Sequence, residues 1–267
     1  SANSNFHLII SFLNNFKYNF LLYKMVLFLY IISIHELNSH KIKNKLDKII
    51  FNNELSKIYY PFNSKRQKKV NSEKINIIEK RIGEILEVLG LDLNDKNLSK
   101  TPKRFAKMYV EEIFKGLNDS EFPIISGLID NFAEKKFVIY KGLNIFSVCE
   151  HHLLPFYGVI HLAYIPRNKL IKAQDVQNAI NFFSRRPQVQ ERLTKQVVDC
   201  ISKILNIQDI ACAVDAKHLC IHSRGIKDFS SSTLTFEYTG KFKSPKMKSR
   251  FISEISDTNS KIDLNIN

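Results

Sequence analysis

From Phe137 onward the chain breaks into short runs of Val, Ile, Phe and Tyr, "KKFVIYKGLNIFSV" and then "YGVIHLAYIP", joined by "CEHHLLP". The same texture returns in "IACAVDAKHLCIHS" and "STLTFEYTGKF", but only after two helical segments, roughly 173–185 and 188–205. The second of these begins just after Pro187 and carries Leu193, Val197, Ile201 and Leu205 at helical spacing. The order is therefore strand, strand, helix, helix, strand, strand. It favours an antiparallel sheet with helices on one face, an α+β arrangement.

Upstream lies a helical region. In "SEKINIIEKRIGEILEVLGLD" the residues Ile75, Ile78, Ile82, Ile85, Leu86 and Leu89 share one helix face, with Ser72 as N-cap and Gly90 as the stop. A second helix is predicted in "TPKRFAKMYVEEIFKG", capped by Thr101, with Pro102 at the first position and Phe105, Met108, Tyr109 and Ile113 along one face up to Gly116. Arg104 and Lys107, three apart, point the same way, which on spacing alone reads as a solvated basic face. The chain thus divides into an extension (1–71), a helical region (72–133), the α+β domain (134–242) and a polar tail with at most one short helix (243–267).

The formal charge is +14, and residues 1–70 hold 11 Lys/Arg against 3 Asp/Glu, so most of the excess belongs to the extension. With only mild basicity elsewhere and no recognisable nucleic-acid module, nucleic acid is not the expected partner; an anionic small substrate accounts for the remaining charge as well. The apolar run "MVLFLYIISI" (25–34) has ten residues, against about 20 for a membrane span, and Lys17 and Lys24 interrupt any longer one. No stable membrane association is expected, although a short apolar run after lysines resembles a targeting segment. Four cysteines, Cys149, Cys200, Cys212 and Cys220, are too few for a disulfide-stapled secreted scaffold. They suit the cytoplasm or an organelle interior.

The chemistry concentrates in "SVCEHHLLPF". Cys149 and His152, three apart across a turn, can converge on one ion, and the strand predicted through "DAKHLCIH" puts His218, Cys220 and His222 on one face. Cys149, His152 and Cys220 then make a Cys₂His set with one open position, the arrangement of catalytic Zn²⁺, which lowers the pKa of its water toward about 7. His151 and His218 stand beside ligands, placed for proton transfer, and Glu150 can orient one of them or a ligand. Cys200 and Cys212 read as core residues. In "RRPQVQERLT", Gln190 and Glu191 open a helix; a carboxylate is a natural acceptor for the adjacent N–H donors of guanine, and a solvated helix start is the other reading.

"CEHHLLPF", "AYIP", "FSRRPQVQERLTKQ", "AKHLCIHSRGIKD" with "SSST", and "TPKRFAKMYVEEIFKGL" together resemble the GTP cyclohydrolase I family, over roughly residues 72–240. The resemblance implies the tunnelling fold, with sheets assembling into rings and two pentameric rings stacking as a homodecamer whose sites lie between subunits. It implies hydrolytic opening of the guanine imidazole ring of GTP, loss of C8 as formate and closure to 7,8-dihydroneopterin triphosphate. Pterin biosynthesis follows, with folate, tetrahydrobiopterin or modified nucleosides downstream. By motif position it assigns Cys149, His152 and Cys220 to zinc, His151 and His218 to proton transfer, Gln190 and Glu191 to guanine, and Arg104, Lys107 and Arg224 to the triphosphate.

One segment departs from the family. Where members read Gly-Leu-Ser-Lys, then two residues and Arg, this chain reads "KAQDVQN" (172–178), so that Gln174, Asp175 and Asn178 replace Ser, Lys and Arg. Lysine-to-aspartate turns attraction into repulsion, worth roughly 4 kcal/mol for a contact at about 4 Å and an effective dielectric near 20, before discount for solvent. The basic residue common after the glycine of "YGVIHLAYIP" is Val159. Three outcomes are open: phosphate binding shifted onto Lys169, Lys172, Arg104, Lys107 and Arg224; a purine nucleotide with fewer phosphates; or a non-catalytic member that keeps metal and assembly.

Overall fold

The computed structural model describes residues 55, 58, 60, 69–125, 128–130 and 137–256. The apolar run 25–34 and residues 257–267 lie outside them. No helix among the described residues is long and apolar enough to cross a membrane.

A five-stranded sheet in the order β5-β2-β3-β6-β7 organises the domain. Its strands are β2 (Val138–Cys149), β3 (Pro155–Tyr164), β5 (Pro187–Gln188), β6 (Ile210–His218) and β7 (Thr233–Tyr238). All neighbours are antiparallel except β5, which runs parallel to the end of β2 and pairs Val148 with Pro187 and Cys149 with Gln188. Two further short strands, β1 (Leu128–Asp130) and β4 (Lys169–Ile171), form a separate antiparallel pair. Strands of two or three residues leave no periodicity to read, and none of these three was expected.

Alternation sorts the two faces. Ile160 and Leu162 of β3 and Ile210, Cys212 and Val214 of β6 point to one side, where α3 (Ala173–Ser184) and α4 (Gln190–Leu205) cover them with Val176, Ile180, Phe183, Leu193, Val197 and Ile201. Each such side chain contributes about 1.5–3 kcal/mol on full burial. Ala163, Ala211 and Ala213 point the other way, against Phe242, Phe251 and Ile255. The last two belong to α6 (Pro245–Ser256), the one short helix allowed for in the polar tail, whose apolar side, not foreseen, closes part of the second face.

Upstream, α1 (Asn71–Val88) and α2 (Thr101–Met108) occupy the predicted segments with shifted starts: Val70 and Lys100, not Ser72 and Thr101, hold the capping positions. α2 is also shorter than expected. It widens into a π-helical turn over Tyr109–Ile113, in which the Phe114 amide donates to the Tyr109 carbonyl across 2.9 Å. That five-residue step sets the Phe114 ring edge-on to Tyr109, which itself stacks on Phe105.

The extension is not uniformly detached. Leu55 and Ile58 are buried in the main core, and Tyr60 is half-buried against residues that follow α3. Arg186 is wholly buried there: its Nε donates to the Gly116 carbonyl at 2.6 Å, and its guanidinium lies 4.5 Å from the Phe182 ring centroid and 5.3 Å from that of Tyr60.

Candidate active site

β2 delivers Cys149 to one end of the sheet, and the chain then reverses tightly. The Cys149 amide donates to the Leu154 carbonyl at 2.8 Å and its carbonyl accepts from Leu153 at 2.9 Å. Leu153 takes φ 52°, a left-handed conformation uncommon for a branched side chain. The turn leaves His151 and His152 exposed while Cys149 stays buried.

At the same end β6 stops at His218, opposite Phe156 of β3. The predicted strand through Cys220 and His222 is not formed. β3 begins at Pro155 and β7 pairs no further than Ala216, so residues past His218 have no neighbouring strand and coil into α5 (Leu219–His222). His222 is thereby turned inward, its Nε2 3.0 Å from the Ser231 carbonyl, away from its expected place beside Cys220.

The helical turn still brings Cys220 to Cys149. The ligand atoms of Cys149, His152 and Cys220 all lie within 4.8 Å of one another. Two thiols and an imidazole at that spacing suit a tetrahedral, thiophilic cation such as zinc. Burial above all, and then the Cys149 sulfur beside it, push the Cys220 thiol up; a bound cation reverses that balance by favouring thiolates. Cys200 and Cys212, in contrast, are fully buried in the core, and burial pushes both thiols far up.

The neighbours divide into several roles. His151 sets its Nδ1 3.8 Å from the Cys149 sulfur, so its ring leans on a ligand atom. Arg224 is exposed, with Nη1 2.9 Å from His152 Nε2. Glu150 receives both arms of Arg192, at 2.6 and 3.1 Å, and that hydrogen bonding holds its carboxyl below the ordinary range. Arg104 and Lys107 stand on the solvent side of α2; Lys107 lies 3.9 Å from Glu111, and no hydrogen bond or ion pair among the described residues joins either to the Cys149–His152 loop.

Gln190 does not present its amide to an open pocket. It is buried, with Nε2 donating to Val214 O (2.9 Å), Thr233 O (2.8 Å) and Thr235 Oγ1 (3.1 Å), and Oε1 2.8 Å from His218 Nε2. The donors that the sequence offers to a base are already engaged by the protein. What the amide does is fix His218: with Oε1 as acceptor, His218 carries its proton on Nε2 and leaves Nδ1 as the unprotonated nitrogen. Burial, opposed by the charge of Glu191, lowers the pKa of His218, whose ring stacks on Phe156 at 4.6 Å. Glu191 is exposed.

In the departing segment, Gln174 Nε2 donates to Asn178 Oδ1 at 2.9 Å, one helical turn on, while Asp175 is buried. Arg192 and Tyr60 were not foreseen. An Arg at the third position of a helix carries no local mark of a carboxylate partner 42 positions earlier.

A family model described as GTP cyclohydrolase I matches residues 78–256. Among curated proteins, the chain is 45% identical over 185 residues to a GTP cyclohydrolase 1 of Flavobacterium johnsoniae, covering 69% of this chain and 83% of that protein. It is 42% identical over 182 residues to one of Vibrio cholerae, covering 68% and 84%, and 43% identical over 185 residues to one of Wigglesworthia glossinidia brevipalpis, covering 69% and 86%.

Proposed function

Because this chain belongs to the GTP cyclohydrolase I family, we propose that it is a zinc-dependent hydrolase converting GTP and water to 7,8-dihydroneopterin triphosphate and formate. The observation that carries the metal dependence is the convergence of Cys149, His152 and Cys220 from two separate stretches of the chain that only the fold unites. Bound there, zinc supplies a Lewis acid and a water acidic enough to act as nucleophile near neutral pH.

The protein's own groups do the rest. Glu191, exposed at the start of α4, accepts from the guanine N–H edge and sets the base over the metal loop. His218, fixed by Gln190, takes and returns a proton at Nδ1. His151, whose Nδ1 lies beside the Cys149 sulfur, serves as the second proton carrier. Arg224 meets the phosphates at the rim, with Arg104 and Lys107 supplied from elsewhere in an assembly.

Assembly is supported by the sheet itself. Among the described residues, β7 has no partner on its outer edge and β2 is covered only at Val148 and Cys149. α1 also leaves Ile77, Ile85 and Val88 exposed. A ring of subunits joined edge to edge, stacked in pairs as a decamer, satisfies both. The four unpaired thiols suit a reducing, cytoplasmic setting.

A second reading, a purine nucleotide with fewer phosphates, is favoured by one observation: Gln174 and Asn178 bond to each other where cations were expected. The test is turnover by the zinc-loaded protein, with formate and oxidised fluorescent pterin both quantified. Equal amounts from GTP, lost together with zinc in Cys149→Ser, support the proposal; turnover of GMP in preference to GTP supports the second reading. A zinc-free Cys149→Ser protein with full activity would refute the metal mechanism.

A further inference from the structure

The matched stretch begins at residue 78, yet two lines of contact start upstream of it, at Tyr60, and end on the turn that carries Cys149 and His152. The first runs through β5. The Tyr60 hydroxyl donates to the Pro187 carbonyl at 2.6 Å. Pro187 and Gln188 are the residues that pair with Val148 and Cys149, and the Gln188 carbonyl accepts from the Glu150 amide at 2.9 Å. β5 is only two residues long, so its place against β2 needs support from outside the ladder.

The second line runs through side chains. The Tyr60 ring lies 5.6 Å from the Arg192 guanidinium and covers it on one side. Arg192 in turn grips Glu150 with two hydrogen bonds, and its side chain is only 19% exposed. Sheltering a charge pair from water strengthens it. Both lines converge on the Cys149–Glu150 step, where a small rotation would swing His152 and the Cys149 sulfur apart.

We propose that Tyr60, a residue ahead of the family match, is a positioning residue for the metal-binding turn, its hydroxyl holding β5 in place and its ring covering Arg192. The inference rests on Cys149, His152 and Cys220 being metal ligands. Outer groups that orient ligands typically account for about 10- to 100-fold in metal affinity. Tyr60→Phe keeps ring and volume and removes only the hydroxyl. It is expected to weaken zinc binding about tenfold in chelator competition and to shift the thiolate charge-transfer bands of the cobalt-substituted protein. Tyr60→Leu, which also uncovers Arg192, should weaken zinc further.

Zinc affinity within about twofold of the parent and an unchanged cobalt spectrum in Tyr60→Phe would overturn the inference, even with a lowered unfolding midpoint, because a merely structural tyrosine predicts that pattern. If Tyr60→Leu does not fold, Tyr60→Phe decides alone. A parent protein that binds no zinc would instead overturn the metal reading, and the inference with it.

Discussion

Replacing Gln190 by leucine separates its two conceivable jobs. The side chain keeps its size and helix propensity but loses the amide that donates to Val214 O, Thr233 O and Thr235 Oγ1 and accepts from His218. The site is buried, so water does not replace the lost partners. The amide has two hydrogens to share among three acceptors, so we count two donated hydrogen bonds and the one accepted from His218 at about 1 kcal/mol each, and the expected loss of unfolding free energy is about 3 kcal/mol. Urea denaturation of the zinc-loaded protein measures it, provided the m-value is unchanged. The imidazole nitrogen-15 spectrum should also show that His218 no longer holds its proton on Nε2 alone. A loss below about 1 kcal/mol with only the KM for GTP raised would refute the reasoning, because Gln190 would then be reading the base and not the histidine.

Glu150 and Phe251 give two independent checks. Arg192 holds the Glu150 carboxyl below the ordinary 4.5, so the pair's contribution is complete above that pH and fades as pH falls through the depressed value. A carbon-13 titration of Glu150 should give a midpoint below 4.5 that returns toward 4.5 in Arg192→Met; no return would mean that another group depresses it. Phe251→Ala removes a fully buried ring that meets Phe242 and Tyr238 edge-on and should cost about 3–5 kcal/mol in the same urea assay, whereas a dispensable tail helix predicts almost nothing.

Much of the architecture could be read in advance because it is written in local periodicity. Leu193, Val197 and Ile201 recur at helical spacing and do face the sheet, and the four long strands stand where β-branched and aromatic residues cluster. Cys149 and His152 were legible for the same reason, lying three apart on one turn. The alternation of His218, Cys220 and His222 misled, because a period of two marks a strand only while a neighbour exists to pair with it, and β3 begins at Pro155. Partnerships at long range left no trace at all: Gln190 with His218 spans 28 positions and Tyr60 with Pro187 spans 127. The apolar residues of α6 went unread because lysines and serines dominate the composition around Phe251 and Ile255.

The placing of the four cysteines has one further consequence. Cys200 and Cys212 are sealed in the core with their protons held on, while Cys149 and Cys220 lie together at the sheet's end, Cys220 partly open to solvent. Toward an alkylating reagent the folded chain therefore has two classes of sulfur, one silent in every native molecule and one whose reactivity depends on whether a cation occupies the cluster. The number of sulfurs alkylated per folded chain becomes a reporter of metal occupancy, built in by the contrast between a core strand and a turn.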